Sequence, residues 1–440
     1  MSLFFKMPKP RWMMLSVISL SSATTFASPV NTLEQAIAKV SEYQQSEQIW
    51  QQRQQMSDLS VKQSKLWQNP SLSISREGFK SDQDKDFAIG ISQPLDIFGQ
   101  RKVQKKIAEL AGQQNDLQEK IWSAQSQLIV KYAWSQFFIA EIEAEIQKSQ
   151  VQLSRETLDS AQKRYQAGSI ALVDYERAQI EAAESERNYK QAVLNKQMIQ
   201  RRLSNLWGET ESDVQVNVKT MYWPDQTEQV VQKYISSGYL EKLYALNITQ
   251  SNYRIEQLRV KAKPNPSVNV GMTRTKAPNE VNDTTLLVGV DVPLNIFNRQ
   301  QYQIPLAQRQ QSLIDRQQQR ELKQQILDIA NSFHQVRGLK LQLDSVIKQR
   351  ELSEKVQSRA LVGFKSGKLS ITDVQQSSLQ LQNIRLSQIQ LLKEAWQTAL
   401  SAEALSLGTS YEQISSSDAY TQLLKEVVSQ SQNFIDLGAE

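Results

Sequence analysis

Asp174 and Asp373 are the residues of this 440-residue chain best placed to act through charge. They stand 199 positions apart, and each follows an aromatic-x-x-glycine turn, Tyr165 with Gly168 and Phe364 with Gly367. A carboxylate in the first turn of a helix is favoured by the positive helix end. Repeated round a symmetric constriction, such carboxylates attract cations and repel anions. Other chemistry is poorly represented. There is no Cys, His334 is the only histidine, and the four methionines beyond residue 30 (Met56, Met198, Met221, Met272) are scattered. No nucleophile–base set, glycine-rich phosphate loop or spaced carboxylate pair stands out, so the sequence argues against an enzyme and needs no cofactor or bound metal.

Each aspartate requires a turn between two helices. Gly168 and Gly367 can take the left-handed conformation that ends a helix, and the chain then reverses through Ser169-Ile170 or Lys368-Leu369. Upstream, residues 100–165 hold no proline and one glycine, Gly112, and residues 299–364 hold Pro305, Gly338 and, one residue before the tip aromatic, Gly363. A continuous helix of that length extends about 100 Å at about 1.5 Å per residue. The return arms run from Leu172 to Leu206 and from Ile371 to Leu407.

The repeat extends further back. Asn69-Pro70-Ser71 matches Asn265-Pro266-Ser267, and Gln93-Pro94-Leu95-Asp96-Ile97-Phe98 matches Val292-Pro293-Leu294-Asn295-Ile296-Phe297. Between these marks the period is two. Leu72 and Ile74, then Phe87, Ile89 and Ile91, alternate with Ser, Ala and Gly; Val268, Val270 and Met272, then Leu286, Val288 and Val290, repeat the pattern. Strands of about nine to eleven residues cross a bilayer when tilted. A soluble, half-buried hairpin shows the same alternation. Four strands cannot close a transmembrane barrel alone, and open edges are not tolerated in lipid. Three copies would supply twelve strands, an even number within the permitted range.

Composition agrees with long wetted helices. Mean hydropathy is -0.51, and only 14 Gly and 11 Pro punctuate the chain. Residues 1–27 read as a secretion signal, with Lys6, Lys9 and Arg11 preceding an apolar run from Trp12 to Leu20 and small residues in Thr25-Phe26-Ala27; an uncleaved anchor is the alternative. Removing them lowers the net charge from +5 to about +2, which leaves no argument for nucleic acid. Without Cys there is no lipid anchor of the N-terminal cysteine type. No later run of roughly eighteen apolar residues offers a helical span. The expected organisation is residues 28–225 as the first repeat (helix from Asn31 to about Trp67, β-hairpin 71–95, helical hairpin 100–207). Residues 226–408 form the second (helix, β-hairpin 267–294, helical hairpin 299–407), and 409–440 a tail with some helix from Tyr420 to Ser429. Asn31 or Thr32 caps the first helix, and 213–218 reads as a short strand lying beside the tail as a belt.

Together these residues resemble the TolC-like outer membrane efflux factors over essentially the whole chain after residue 27. The resemblance rests on the Asn-Pro entries, the Pro-Leu exits and the aromatic-x-x-Gly…Asp tips, in both copies and in order. Gln93-Pro94 and Phe98-Gly99-Gln100-Arg101 are most similar to the cobalt–zinc–cadmium branch. The resemblance implies a mainly α fold with a β membrane portion, trimeric, its twelve-stranded barrel continuous with a periplasmic α-barrel. It implies an exit duct in the outer membrane of a Gram-negative cell, working with a periplasmic adaptor and an inner membrane pump of the RND type. Metal cations are the expected substrates; a multidrug or type I protein secretion duct is the runner-up, and a periplasmic coiled-coil scaffold the alternative of another class. In the family the closing ring comes from the second repeat, which matches Asp373; a second carboxylate often follows, where this chain has Gln376. The family's tyrosine latch is replaced by Phe364. The surfaces at Tyr165, Gly168, Phe364 and Gly367 would receive the adaptor. After the exits at Pro94 and Pro293, Arg101 and Arg299 would snorkel to headgroups, line the duct, or begin a solvated helix. Trp67, Phe79, Phe98 and Phe297 would form girdles or pack as ordinary core.

Overall fold

A computed structural model describes residues 29–78, 85–210, 212–216, 223–276, 281 and 283–439, with the side chains of 433–439 left out. The secretion signal, Phe79, Val218, Met221 and most of both β-hairpin loops lie outside the described residues.

Two helices replace the single one expected before the first strand. α1 (Leu33–Tyr43) is capped by Thr32, whose hydroxyl accepts from the Gln35 N–H; α2 (Ser46–Gln63) follows a break at Gln45, which is left-handed at φ 49°. The break lets the chain change direction without a proline, a device with no strong sequence mark. The first β-hairpin is β1 (Ser71–Glu77) and β2 (Lys85–Pro94). The first helical hairpin is α3 (Gln100–Gln166, 67 residues) and α4 (Leu172–Asn205). α5 (Thr227–Ser237) and α6 (Tyr239–Lys261) precede β3 (Ser267–Lys276) and β4 (Asp283–Asp291). The second helical hairpin is α7 (Gln303–Lys365) and α8 (Ile371–Ser406). The tail holds α9 (Tyr411–Ser415) and α10 (Ala419–Ala439), more helix than its serine content suggests.

The repeat period survives at the tips, where Gln166 and Lys365 end the descending helices and Leu172 and Ile371 begin the return. It fails at the exits. α7 starts at Gln303 rather than 299, after Gln300 adopts φ 57°, and Pro305 sits harmlessly in its first turn. Of the expected strand at 213–218, the described residues 213–216 hold one parallel bridge, Val30 with Val214. Val214, Ile414, Tyr420 and Val427 share the main core, so this segment and the tail meet through packing.

The strands form one antiparallel sheet in the order β1-β2-β3-β4, and β2 pairs β3 from Pro94–Ser267 to Lys85–Lys276, joining the two repeats. Direct pairs Leu72–Ile91, Ile91–Val270 and Val270–Val288, with Ile74–Ile89, Ile89–Met272 and Met272–Leu286, put the branched side chains in rows on one face. The opposite face carries Ser73, Gly90, Gly271 and Leu287, all in register. A side chain at Gly271 would meet the Ile89 carbonyl at 2.9 Å, so this position must stay small, while Leu287 on the edge strand is the one large residue of the row. Among the described residues nothing packs across either face, and the outer edges of β1 and β4 have no partner.

The main core lies midway along the helices, where α3 passes α8, α1 and the tail. Trp134, Phe137, Trp396, Leu400 and Leu407 are buried there, and Trp50, Trp122 and Tyr420 meet edge to face. Among the described residues no helix is long and apolar enough to cross a membrane, which says nothing about the strands.

Candidate functional site

Both tips close by the same hydrogen bonds. The Gly168 N–H donates to the Tyr165 carbonyl and the Ser169 N–H to the Arg164 carbonyl; in the second copy the Gly367 N–H donates to Phe364 and the Lys368 N–H to Gly363. Each glycine has positive φ, +71° and +78°, which completes the Schellman arrangement.

The aspartates then diverge. Asp174 lies 3.5 Å from Arg177 on its own helix. The residue 199 positions beyond Arg177 is Gln376, so Asp373 has no such cation, and among the described residues it forms no ion pair. Instead Ser370 and Asp373 make a capping box: the Ser370 N–H and hydroxyl donate to Asp373 Oδ2 at 2.9 and 2.7 Å, and Ser370 Oγ accepts from the Asp373 N–H at 3.2 Å. The Ser370 hydroxyl and N–H hold the Asp373 carboxyl below its ordinary range. The first tip has Ala171 in place of Ser370 and lacks this cap. Asp373 and Gln376 are exposed, so the second tip presents an ionised carboxylate at its end.

The aromatic residues also diverge. Tyr165 stacks flat on Tyr175 at 5.6 Å and remains partly exposed. Phe364 is fully buried in a small apolar cluster with Ala161, Ala178, Leu361, Ile371 and Val374, which joins the two helical hairpins. Arg164 of α3 covers it, with the guanidinium 4.7 Å from the ring centre and Nη1 donating to the Phe364 and Leu369 carbonyls at 2.9 and 3.4 Å. Lys365 lies 3.5 Å from Glu156 across the same seam. Above it, Glu181 of α4 faces Gln375 of α8, and burial pushes its carboxyl up. Phe364 is thus an inward anchor, away from any docking surface, whereas Gly168 and Gly367 are exposed. Arg164 escaped the sequence reading. The signal was the mismatch of Arg164 with Gly363, 199 positions on.

The strand exits differ as well. Leu95 follows Pro94 and its N–H donates to the Pro266 carbonyl. Asp96 then caps α3, accepting from the Gln100 and Arg101 N–H groups at 2.6 and 3.0 Å. Arg101 pairs with Asp96 at 3.5 Å, lies 3.7 Å over the Trp67 ring and donates to the Lys65 carbonyl. It is neither free to snorkel nor simply solvated. After Pro293 the matching residue is Asn295, which donates to the Ala262 carbonyl; Arg299 lies before α7 and donates back to the Asn295 carbonyl. Phe98 lies under Lys263, while Phe297 is 90% exposed. His334 is exposed, and among the described residues no group of His, Cys, Asp and Glu could hold a metal ion.

Residues 44–209 match the model of the outer membrane efflux protein family. The chain is 23% identical over 363 residues to the cobalt-zinc-cadmium resistance protein CzcC of Cupriavidus metallidurans, covering 78% of this chain and 82% of that protein. Among solved structures it is similar to CusC, with TM-score 0.66 and 14% identity over 86% of this chain and 92% of that one. It is also similar to the CmeC outer membrane channel of Campylobacter jejuni, with TM-score 0.62 and 15% identity over 98% of each chain. A third is the outer membrane protein VceC of Vibrio cholerae, with TM-score 0.63 and 14% identity over 86% of this chain and 97% of that one. The chain therefore shares its fold, mostly helical with a small antiparallel sheet, with these outer membrane channel structures.

Proposed function

Starting from a chain that resembles the outer membrane efflux proteins, we propose that it forms a trimeric exit duct that passively conducts metal cations out of the cell, fed by a periplasmic adaptor and an inner membrane pump of the RND type. The observation that carries this reading is the sheet, apolar on one face, small or polar on the other except at Leu287, with both edges unpartnered among the described residues. Lipid on one side, water on the other and sister strands at each edge satisfy all three features.

The helices support the same assembly. On α7, Leu306, Leu313, Leu327 and Leu341 recur at multiples of seven and are exposed, Leu341 at 73%. On α4, Val173, Ile180 and Leu194 do likewise. Seven-residue spacing keeps one seam facing a partner helix, and in a single chain these seams have none. A second copy would cover them.

The exposed carboxylate at Asp373, three times over, favours cations at the narrow end. The likeness to a cobalt-zinc-cadmium resistance protein supports metal as the cargo. Adaptor docking is assigned to the exposed tip surface around Tyr165, Gly168 and Gly367. The test is a deletion strain profiled against divalent metals and hydrophobic drugs, with heat-sensitive trimer migration of the outer membrane fraction. Metal sensitivity with a heat-labile trimer is expected. Drug sensitivity alone overturns the cargo, and a monomer soluble without detergent overturns the duct.

A further inference from the structure

We infer that Arg164 is the positioning residue that holds the second tip, and with it Asp373, against the first helical hairpin. This rests on the duct reading above and names what restrains its narrow end.

Arg164 stands on α3, in the first repeat, and both of its acceptors belong to the second. The Phe364 carbonyl closes the Schellman turn at Gly367, and the Leu369 carbonyl lies one residue before the Ser370 cap of Asp373. One guanidinium therefore grips the second turn on both sides of its glycine. The same group lies over the Phe364 ring, which is fully buried between the hairpins. Arginine suits this position because its planar fork can serve carbonyls at the edge while its face covers a ring.

The repeat shows that the contact works in one direction only. At the position matching Arg164 the second copy has Gly363, where a side chain would meet Leu369 at 2.6 Å. Leu369 therefore folds over Gly363 and presents its own carbonyl to Arg164. The reciprocal arginine is absent and could not fit. Of the ion pairs between the two hairpins, Lys365 with Glu156 beside the tip and Lys393 with Glu143 farther up have part-exposed side chains, where such pairs contribute little. Swinging the second tip away from the first must break the Arg164 contacts, together with the weaker link from the Gln375 amide to the Arg177 carbonyl at 3.4 Å.

The test uses full-length trimers in planar bilayers, comparing wild type, Arg164→Ala, Arg164→Lys and Glu156→Gln. Arg164→Ala is expected to raise the open fraction about tenfold, the size of one charge-assisted hydrogen bond, with trimer heat stability unchanged. Arg164→Lys, which keeps one donor and the charge, should restore part of the closure, and Glu156→Gln should behave as wild type. If Arg164→Ala fails to assemble, Arg164→Gln is read by the same criterion. Conductance of Arg164→Ala equal to or below wild type overturns the inference while leaving the duct intact. A wild-type trimer that conducts under no condition overturns the duct itself.

Discussion

Lys131 and Glu403 give the sharpest test of how the midsection is held. Lys131 Nζ lies 2.6 Å from Glu403 Oε2, and the side chains are 15% and 5% exposed. Burial pushes the Glu403 carboxyl above its ordinary range, and the Lys131 charge opposes that rise. Replacing Lys131 with Met leaves the carboxylate buried without its cation, at a cost of about 3–5 kcal/mol near neutral pH. The sign with pH follows. A carboxyl whose folded pKa is raised binds its proton more tightly when folded, so stability falls as pH rises from the ordinary value through the raised one. Lys131→Met widens that window upward, and acidification to about pH 5 should recover part of the loss. The double variant Lys131→Met/Glu403→Leu should cost less than the single one, because no charge remains buried. Apparent Tm, followed by far-UV circular dichroism on detergent-solubilised trimer at one scan rate, reads all three. A single variant that melts with the wild type, or no more pH-dependent than the double, refutes the reasoning.

Asp373→Asn should lower cation preference in a salt-gradient reversal-potential measurement, and Asp174→Asn should do so less, because Arg177 already offsets that charge. Asp96→Asn removes a charged cap from α3 and the partner of Arg101, and about 1 kcal/mol of stability should be lost in chemical denaturation. Gly367→Val forces a branched residue to φ +78°, and efflux in a resistance assay should fall well below that of Gly338→Val, where open space surrounds the helix. Equal resistance in both valine strains would count against a role for the second tip.

The duplicated elements were legible because each has a chemical period of its own. Alternation gave the strands, and the glycine turns at 168 and 367 gave the tips to the residue. The break at Gln45 and the late start of α7 were not legible, since glutamine in a left-handed conformation carries no sequence mark and is fixed by its surroundings. At the site, Asp174 and Asp373 could be placed, but their inequality could not. It depends on Arg177 against Gln376 and Ala171 against Ser370, which matter only once the two turns are overlaid. Arg101 shows the same limit. Its sequence position suggested lipid or solvent, and the structure gives it Asp96 and Trp67 instead.

The open borders of the sheet bear on how the protein comes to exist at all. A newly made chain carries two rows of unsatisfied backbone groups, flanked by branched side chains with no cover, the usual template for aggregation. Its safety therefore depends on time and concentration more than on its own fold. If the proposed trimer is the working form, synthesis slow enough to leave subunits waiting for one another raises the risk of clumping, so yield should follow the supply of sisters and the speed of insertion rather than the melting point of the finished particle.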